Sequence, residues 1–234
     1  MEKQQILVVD DDHDIVAAIA KNLESEGYEV WKAFDGMQAL EVLQREKIYL
    51  VILDIMMPNM DGMSATIKIR EERNIPIILL SAKSEDSDKV LGLTMGADDY
   101  ITKPFSPSEL IARVKSQLRR YMKLGDYHNG ESGNTITLGG LTLLEREKQL
   151  YVDGEPVKLT ATEYKILQLL MKHPGRVFSA EEIYERVWEE EAFSVENTVM
   201  VHIRRIREKI EITPREPRYL KVVWGIGYKI EKIK

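Results

Sequence analysis

Five side chains suited to one kind of chemistry stand at the ends of apolar runs in the first half of the chain. Asp10 and Asp11 follow Ile6–Val9, Asp54 follows Leu50–Leu53, Ser81 follows Pro76–Leu80, and Lys103 comes just after Tyr100–Ile101. Carboxylates brought together repel unless a cation neutralises them. Hard oxygen donors with room for water suit Mg²⁺. With a hydroxyl and an ammonium beside them, such acids make a phosphoryl-accepting site. The metal and the lysine neutralise the phosphoryl oxygens while a carboxylate attacks phosphorus. Acids that merely begin a helix favourably would explain Asp12, but not Asp54, Ser81 and Lys103 at three other run ends. An EF-hand loop starting at Asp10 is rejected, because Ile15 and Lys21 stand where Gly and Glu are needed. An aspartate-nucleophile phosphatase of the haloacid-dehalogenase type, attacking with Asp10, is disfavoured because His13 follows Asp12.

The elements that must position these residues alternate in period. Apolar runs at Ile6–Val9, Tyr28–Ala33, Leu50–Leu53, Pro76–Leu80 and Tyr100–Ile101 read as strands. Helical spacing covers His13–Glu26, Gly36–Glu46, Met63–Glu72, Asp86–Met95 and Pro107–Arg120. Five βα units with continuously apolar strands predict a doubly wound α/β domain, its parallel sheet covered on both faces. The working site of such a sheet lies at the carboxyl ends of its strands.

The polar, Gly-containing stretch 122–134 reads as a linker between a domain at 1–121 and another at 135–234. The second domain predicts short strands at Thr135–Leu138, Leu141–Leu144 and Gln149–Val152, with hairpin turns at Gly139-Gly140 and Asp153-Gly154. Helices follow at Thr160–His173 (a capping box of Thr160 and Glu163), Ser179–Val187 and Ser194–Ile210. Tyr219–Ile230 reads as a closing hairpin turning at Gly225-Ile226-Gly227.

The net charge of −6 is unevenly spread: residues 1–120 carry −6, and residues 200–234 carry +6. That basic end argues for nucleic acid against an acidic whole. On Ser194–Ile210 the apolar positions Val195, Val199, Ile203, Ile206 and Ile210 must face a core. Arg204, Arg205, Arg207 and Lys209 are then expected to face away, as on the second helix of a helix-turn-helix. The hairpin adds Lys221, Lys229, Lys232 and Lys234. Tyr164, Tyr184, Trp188 and Trp224 read as core or interface packing rather than base stacking, and His202 as packing or a phosphate contact. The chain has no Cys, which excludes disulfides, thiol nucleophiles and Cys-ligated metals. Its apolar runs are too short to cross a bilayer, and no signal peptide is evident, so a soluble cytoplasmic protein is expected.

Four motifs in order resemble a two-component response-regulator receiver domain: Ile6–Asp12, Leu53–Gly62, Leu80–Lys83 and Gly96–Phe105. The resemblance implies that Asp54 is the phosphoacceptor. Asp10, Asp11, Asp54 and the Met56 backbone carbonyl would hold Mg²⁺. Lys103 would contact the phosphoryl group, Ser81 and Tyr100 would form a switch pair, and the bond before Pro104 would be cis. Catalysis would be limited to self-phosphorylation and slow autodephosphorylation. The resemblance also implies a sensor histidine kinase as donor and dimerisation through the fourth and fifth helices of the receiver. Lys89–Glu109 and Asp99–Arg113 would pair across that face, with Asp98 a partner for Arg120.

Residues 135–232 resemble the winged-helix effector of OmpR/PhoB-type regulators, through Leu159–Tyr164, Asn197–Ile210 and Gly225–Tyr228. This implies DNA contacts from Asn197, Thr198, His202, Arg204, Arg205, Arg207, Lys209, Trp224 and Lys229, on tandem promoter half-sites. Trp224 and Asn197 stand where the family often has Arg, so this wing should discriminate less by groove width. Asn197–Arg204 with Val223–Lys229 also look like regulators of the vancomycin-resistance type. The Glu189-Glu190-Glu191 loop is open to two readings, an RNA polymerase contact or negative charge kept off the DNA.

Overall fold

The computed structural model describes residues 3–82, 95–125, 135–189 and 196–233. The chain divides into two compact units, Met1–Tyr121 and Met122–Lys234. The first holds β1 (Gln5–Val9), α1 (His13–Ser25), β2 (Glu29–Ala33), α2 (Gly36–Arg45), β3 (Leu50–Asp54), α3 (Gly62–Glu72), β4 (Ile77–Ser81), β5 (Asp99–Thr102) and α4 (Pro107–Gly125). The five strands make one parallel sheet in the order β2-β1-β3-β4-β5. Every residue of β3 and β4 is buried, as expected of strands covered on both faces. Helix α4 runs on to Gly125, into the stretch read as linker. The helix read at Asp86–Met95 lies almost wholly outside the described residues.

Helices α1, α2 and α3 start at Asp12, Asp35 and Asp61, whose carboxylates accept the first free N–H groups. Asp12 is therefore helix chemistry, as the sequence suggested. The bond before Pro104 is cis.

The second unit begins with a four-stranded antiparallel sheet, β6 (Thr135–Leu138), β7 (Leu141–Leu144), β8 (Gln149–Val152) and β9 (Glu155–Val157). The sequence reading missed β9, three residues long with Pro156 at its centre. Then come α5 (Ala161–Lys172), α6 (Ala180–Trp188), α7 (Glu196–Ile210) and the hairpin β10 (Leu220–Val223) and β11 (Gly227–Ile230). Apolar faces of all three helices share one core with Phe178, Tyr219 and Ile230. The capping box of Thr160 and Glu163 is formed. No helix among the described residues is long and apolar enough to cross a membrane.

Candidate functional sites: an acidic rim and a basic helix

Strand register delivers the first site. Val9 lies beside Leu53, Asp54 beside Leu80, and Ser81 beside Thr102. The residues that end or follow β1, β3, β4 and β5 therefore share one rim. Asp10 and Asp54 are almost fully buried there, and Asp11 is exposed. Oxygens of Asp10, Asp11 and Asp54 lie within 4.8 Å of one another, a grouping able to hold a metal ion. Lys103 Nζ sits 2.5 Å from Asp10 Oδ2 and 2.7 Å from Asp54 Oδ1. Ser81 and Tyr100 are buried close by in the strands, and the Lys103 N–H donates to the Ser81 carbonyl at 2.7 Å.

Electrostatically the rim is out of balance. Burial pushes the Asp54 carboxyl above its usual value, and Lys103 only partly offsets this. Burial alone would lower the Lys103 ammonium, but hydrogen bonds and charge pairing with Asp10 and Asp54 together raise it. Three carboxylates against one ammonium leave an excess of negative charge that a divalent cation fits by charge and donor type. The Met56 N–H donates to Asp54 Oδ2 at 2.7 Å and orients that carboxylate. Gly62 lets the following turn close over the site, since a Cβ there would lie 2.1 Å from the Asp54 carbonyl oxygen.

Residues expected at the dimer face hold contacts within the chain, Asp98 first. It is buried, pairs with Arg70 at 2.5 Å and accepts the Ile77 N–H at 3.0 Å. Arg120 is itself buried and donates to Ser116 Oγ at 2.7 Å. Arg113 pairs within the chain, with Asp99 at 3.0 Å and Glu109 at 3.4 Å. Lys89 lies outside the described residues.

In the second unit the structure sorts the basic residues of α7. Arg204 is exposed and pairs with its helix neighbour Glu208 at 3.1 Å. Arg205, expected to face the groove, is 7% exposed and pairs at 2.8 Å with Glu163, which is fully buried on α5. Lys209 pairs with the same carboxylate at 2.6 Å. Burial would raise the Glu163 pKa, but Arg205 and Lys209 outweigh it and hold it at about 2. Arg205 is thus a fold residue, because its position on the helix faces α5. His202, also expected to reach DNA, is fully buried with its ring 5.5 Å from that of Trp188. Arg207 is half-buried, its Nε donating to the Leu220 carbonyl at 2.9 Å.

The exposed stripe of α7 is instead Met200, Arg204 and Glu208, with Asn197 and Thr198 both half-buried beside it. Met200 was missed because it was read as neither core nor charge. Tyr164, Tyr184 and Trp188 pack in the core as expected, but Trp224 is 90% exposed. Lys229 is held by Glu231 at 3.1 Å and lies opposite Lys221 in the hairpin. Glu189 ends α6, and Glu190 and Glu191 lie outside the described residues.

Known proteins share this arrangement. Residues 6–115 match the response regulator receiver domain, and residues 154–230 match the family described as transcriptional regulatory protein, C terminal. The regulatory protein VanR of Enterococcus faecium is 45% identical over 229 residues, 97% of this chain and 99% of that protein. VanRc of Enterococcus gallinarum is 43% identical over 98% of this chain and 99% of its own. The crystal structure of DrrB, an OmpR/PhoB homologue from Thermotoga maritima, is 32% identical. It covers 98% of this chain and all of its own, with a TM-score of 0.52.

Proposed function

The chain belongs to the response regulators of the OmpR/PhoB type, and we propose that within it Asp54 accepts the phosphoryl group. It is a two-component regulator with a phospho-accepting receiver and a DNA-binding transcriptional domain, a transcription factor rather than a catalytic enzyme. The observation that carries the assignment to Asp54 is the single ammonium of Lys103 shared by two buried carboxylates, with a third beside them.

A sensor kinase would present a phosphohistidine at this rim. An Asp54 carboxylate oxygen attacks phosphorus as the N–P bond breaks, and the released imidazole takes up a proton. Lys103 neutralises the incoming phosphoryl oxygens. Asp10, Asp11, Asp54 and the Met56 carbonyl would hold Mg²⁺, which supplies charge neutralisation when bound. Ser81 and Tyr100 carry the switch to the surface. An apolar groove of about 460 Å³, lined by Ile15, Ile19, Phe105 and neighbours, adjoins Lys103 and offers the kinase a docking surface.

Phosphorylation then favours a homodimer through the face that carries Asp99, Glu109 and Arg113. The in-chain pairs of Arg113 with the buried Asp99 and the exposed Glu109 must open for this; the exposed pairs formed in exchange contribute only about 0–1 kcal/mol each, so they set register more than affinity. The domains fall at 1–121 and 135–234, joined by 122–134. Helix α7 reads the major groove of tandem half-sites through Asn197, Met200 and Arg204, in the cytoplasm, with RNA polymerase a further partner.

Incubation with a small acyl phosphate and Mg²⁺, followed by intact mass, tests the centre of this reading. One phosphoryl group per wild-type chain is expected, and none in Asp54→Ala or with a chelator. Stoichiometric labelling of Asp54→Ala removes Asp54 from the role.

A further inference from the structure

At the tip of the β10–β11 hairpin two large apolar side chains project into solvent, Trp224 at 90% and Ile226 at 63% exposure. They flank Gly225, whose φ of +71° serves the turn from Val223 to Ile226, closed by an Ile226 N–H to Val223 carbonyl bond of 3.0 Å. Single exposed apolar residues are ordinary; two such residues on one turn between strands bearing lysine are not. Lys221 and Lys229 face each other across the hairpin stem.

The base of the hairpin is anchored to the end of α7. Glu211, directly after that helix, accepts the N–H groups of Arg218, Tyr219 and Leu220 at 2.6, 2.8 and 2.8 Å. Arg207 on the helix grips the Leu220 carbonyl. At the other strand Tyr228 bridges to Phe178, and a Cβ at Gly227 would lie 2.0 Å from the Phe178 carbonyl oxygen. These bonds fix where the hairpin leaves the helix. Wherever α7 lies in a major groove, the tip is carried to the DNA beside it.

We propose that Trp224 and Ile226 form an apolar wedge that enters the minor groove next to the α7 site and favours easily unstacked pyrimidine–purine steps. Apolar wedges between base steps unstack and kink duplexes, and TA and CA steps yield most easily. The wedge selects by deformability, a preference that needs no cation at the tip. The inference rests on α7 being the DNA reader.

The test uses the full phosphorylated chain and a duplex recovered by it from a random-sequence pool. 2-Aminopurine is placed at each step that hydroxyl-radical footprinting assigns to the hairpin. Wild-type binding is expected to raise emission at one step, and Trp224→Ala to abolish the rise and weaken binding roughly tenfold, the scale of a lost aromatic–base contact. Trp224→Phe should keep most of both. Replacing the TA or CA step by AA should weaken the wild type but not Trp224→Ala. Unchanged affinity and an undiminished emission rise in Trp224→Ala, with Arg204→Ala weakened, overturns the wedge and leaves the α7 reading standing. Unchanged affinity in both variants overturns that reading as well. Protection of Trp224 from acrylamide quenching on phosphorylation without DNA would mean that protein covers the tip, and would also overturn the wedge.

Discussion

Each unit holds a buried cluster in which several charges share one partner, and the two are balanced in opposite directions. In the receiver, Asp10, Asp11 and Asp54 share one lysine, and burial leaves the Asp54 carboxyl with a raised pKa. In the effector, Glu163 alone faces Arg205 and Lys209 and accepts the Thr160 N–H, and its pKa falls to about 2. The ingredients are the same. The acid-rich cluster is incomplete by itself and is open to a cation and a phosphoryl group. The base-rich one is satisfied within the fold and fixes α5 against α7. The ratio of acids to bases, rather than burial, separates a working site from a structural one.

The largest expected effect is at the satisfied cluster. Glu163→Ala leaves Arg205 buried without its carboxylate and removes the capping bond to Thr160. Loss of one partner of a buried pair costs about 3–5 kcal/mol. Hydrogen exchange read by peptide in the full chain should show α5 and α7 opening early while the receiver peptides are unchanged. Unchanged protection in α7 would mean that Glu163 is dispensable and that the contrast is false.

Next come the two adjacent arginines. Arg204→Ala should weaken operator binding by roughly 1–3 kcal/mol if that arginine reads a base, with unchanged melting. Arg205→Ala should lower melting temperature first and affect DNA only through the fold. Equal melting of the two variants would put Arg205 back among the groove-facing residues. Sequence alone could not make this separation. Successive helix positions point about 100° apart, so Arg204 and Arg205 straddle the border of the apolar stripe. The deciding partner, Glu163, lies on another helix and was legible only as a cap. The receiver site was legible because apolar strands of fixed register bring their ends to one rim, so four short motifs determined its geometry. Trp224 was open to two readings, as core or interface packing and, through the resemblance, as a DNA contact; its exposure at the hairpin turn removes it from the core.

The pH dependence of the effector follows from Glu163. Its folded pKa lies below the ordinary 4.5, so the stability it contributes is whole above about pH 4.5 and is lost as the pH falls toward 2. Glu163→Gln should flatten that part of the effector's acid unfolding curve. A curve of wild-type slope in Glu163→Gln would assign the acid sensitivity to other carboxylates.

The smallest effect is also the one of opposite sign. Asp54 has a folded pKa raised by burial. Its ionisation therefore opposes folding: the penalty is absent below the ordinary 3.8, grows as the pH rises through the folded value, and is fully present above it. Asp54→Asn keeps the size of the side chain and removes the charge, leaving Asp10 and Asp11 with Lys103. Without divalent cations at neutral pH, receiver peptides of Asp54→Asn should be modestly better protected from exchange than those of the wild type. Added Mg²⁺ should then stabilise the wild type more than the variant, because a cation relieves the same excess of negative charge. Binding of an ion to the folded state alone raises stability with its concentration, so the difference should grow across a Mg²⁺ titration. Loss of protection in Asp54→Asn without Mg²⁺ would make Asp54 a carboxylate of the Glu163 kind, holding the fold through Lys103, and the contrast between the two clusters would fail at its acidic end.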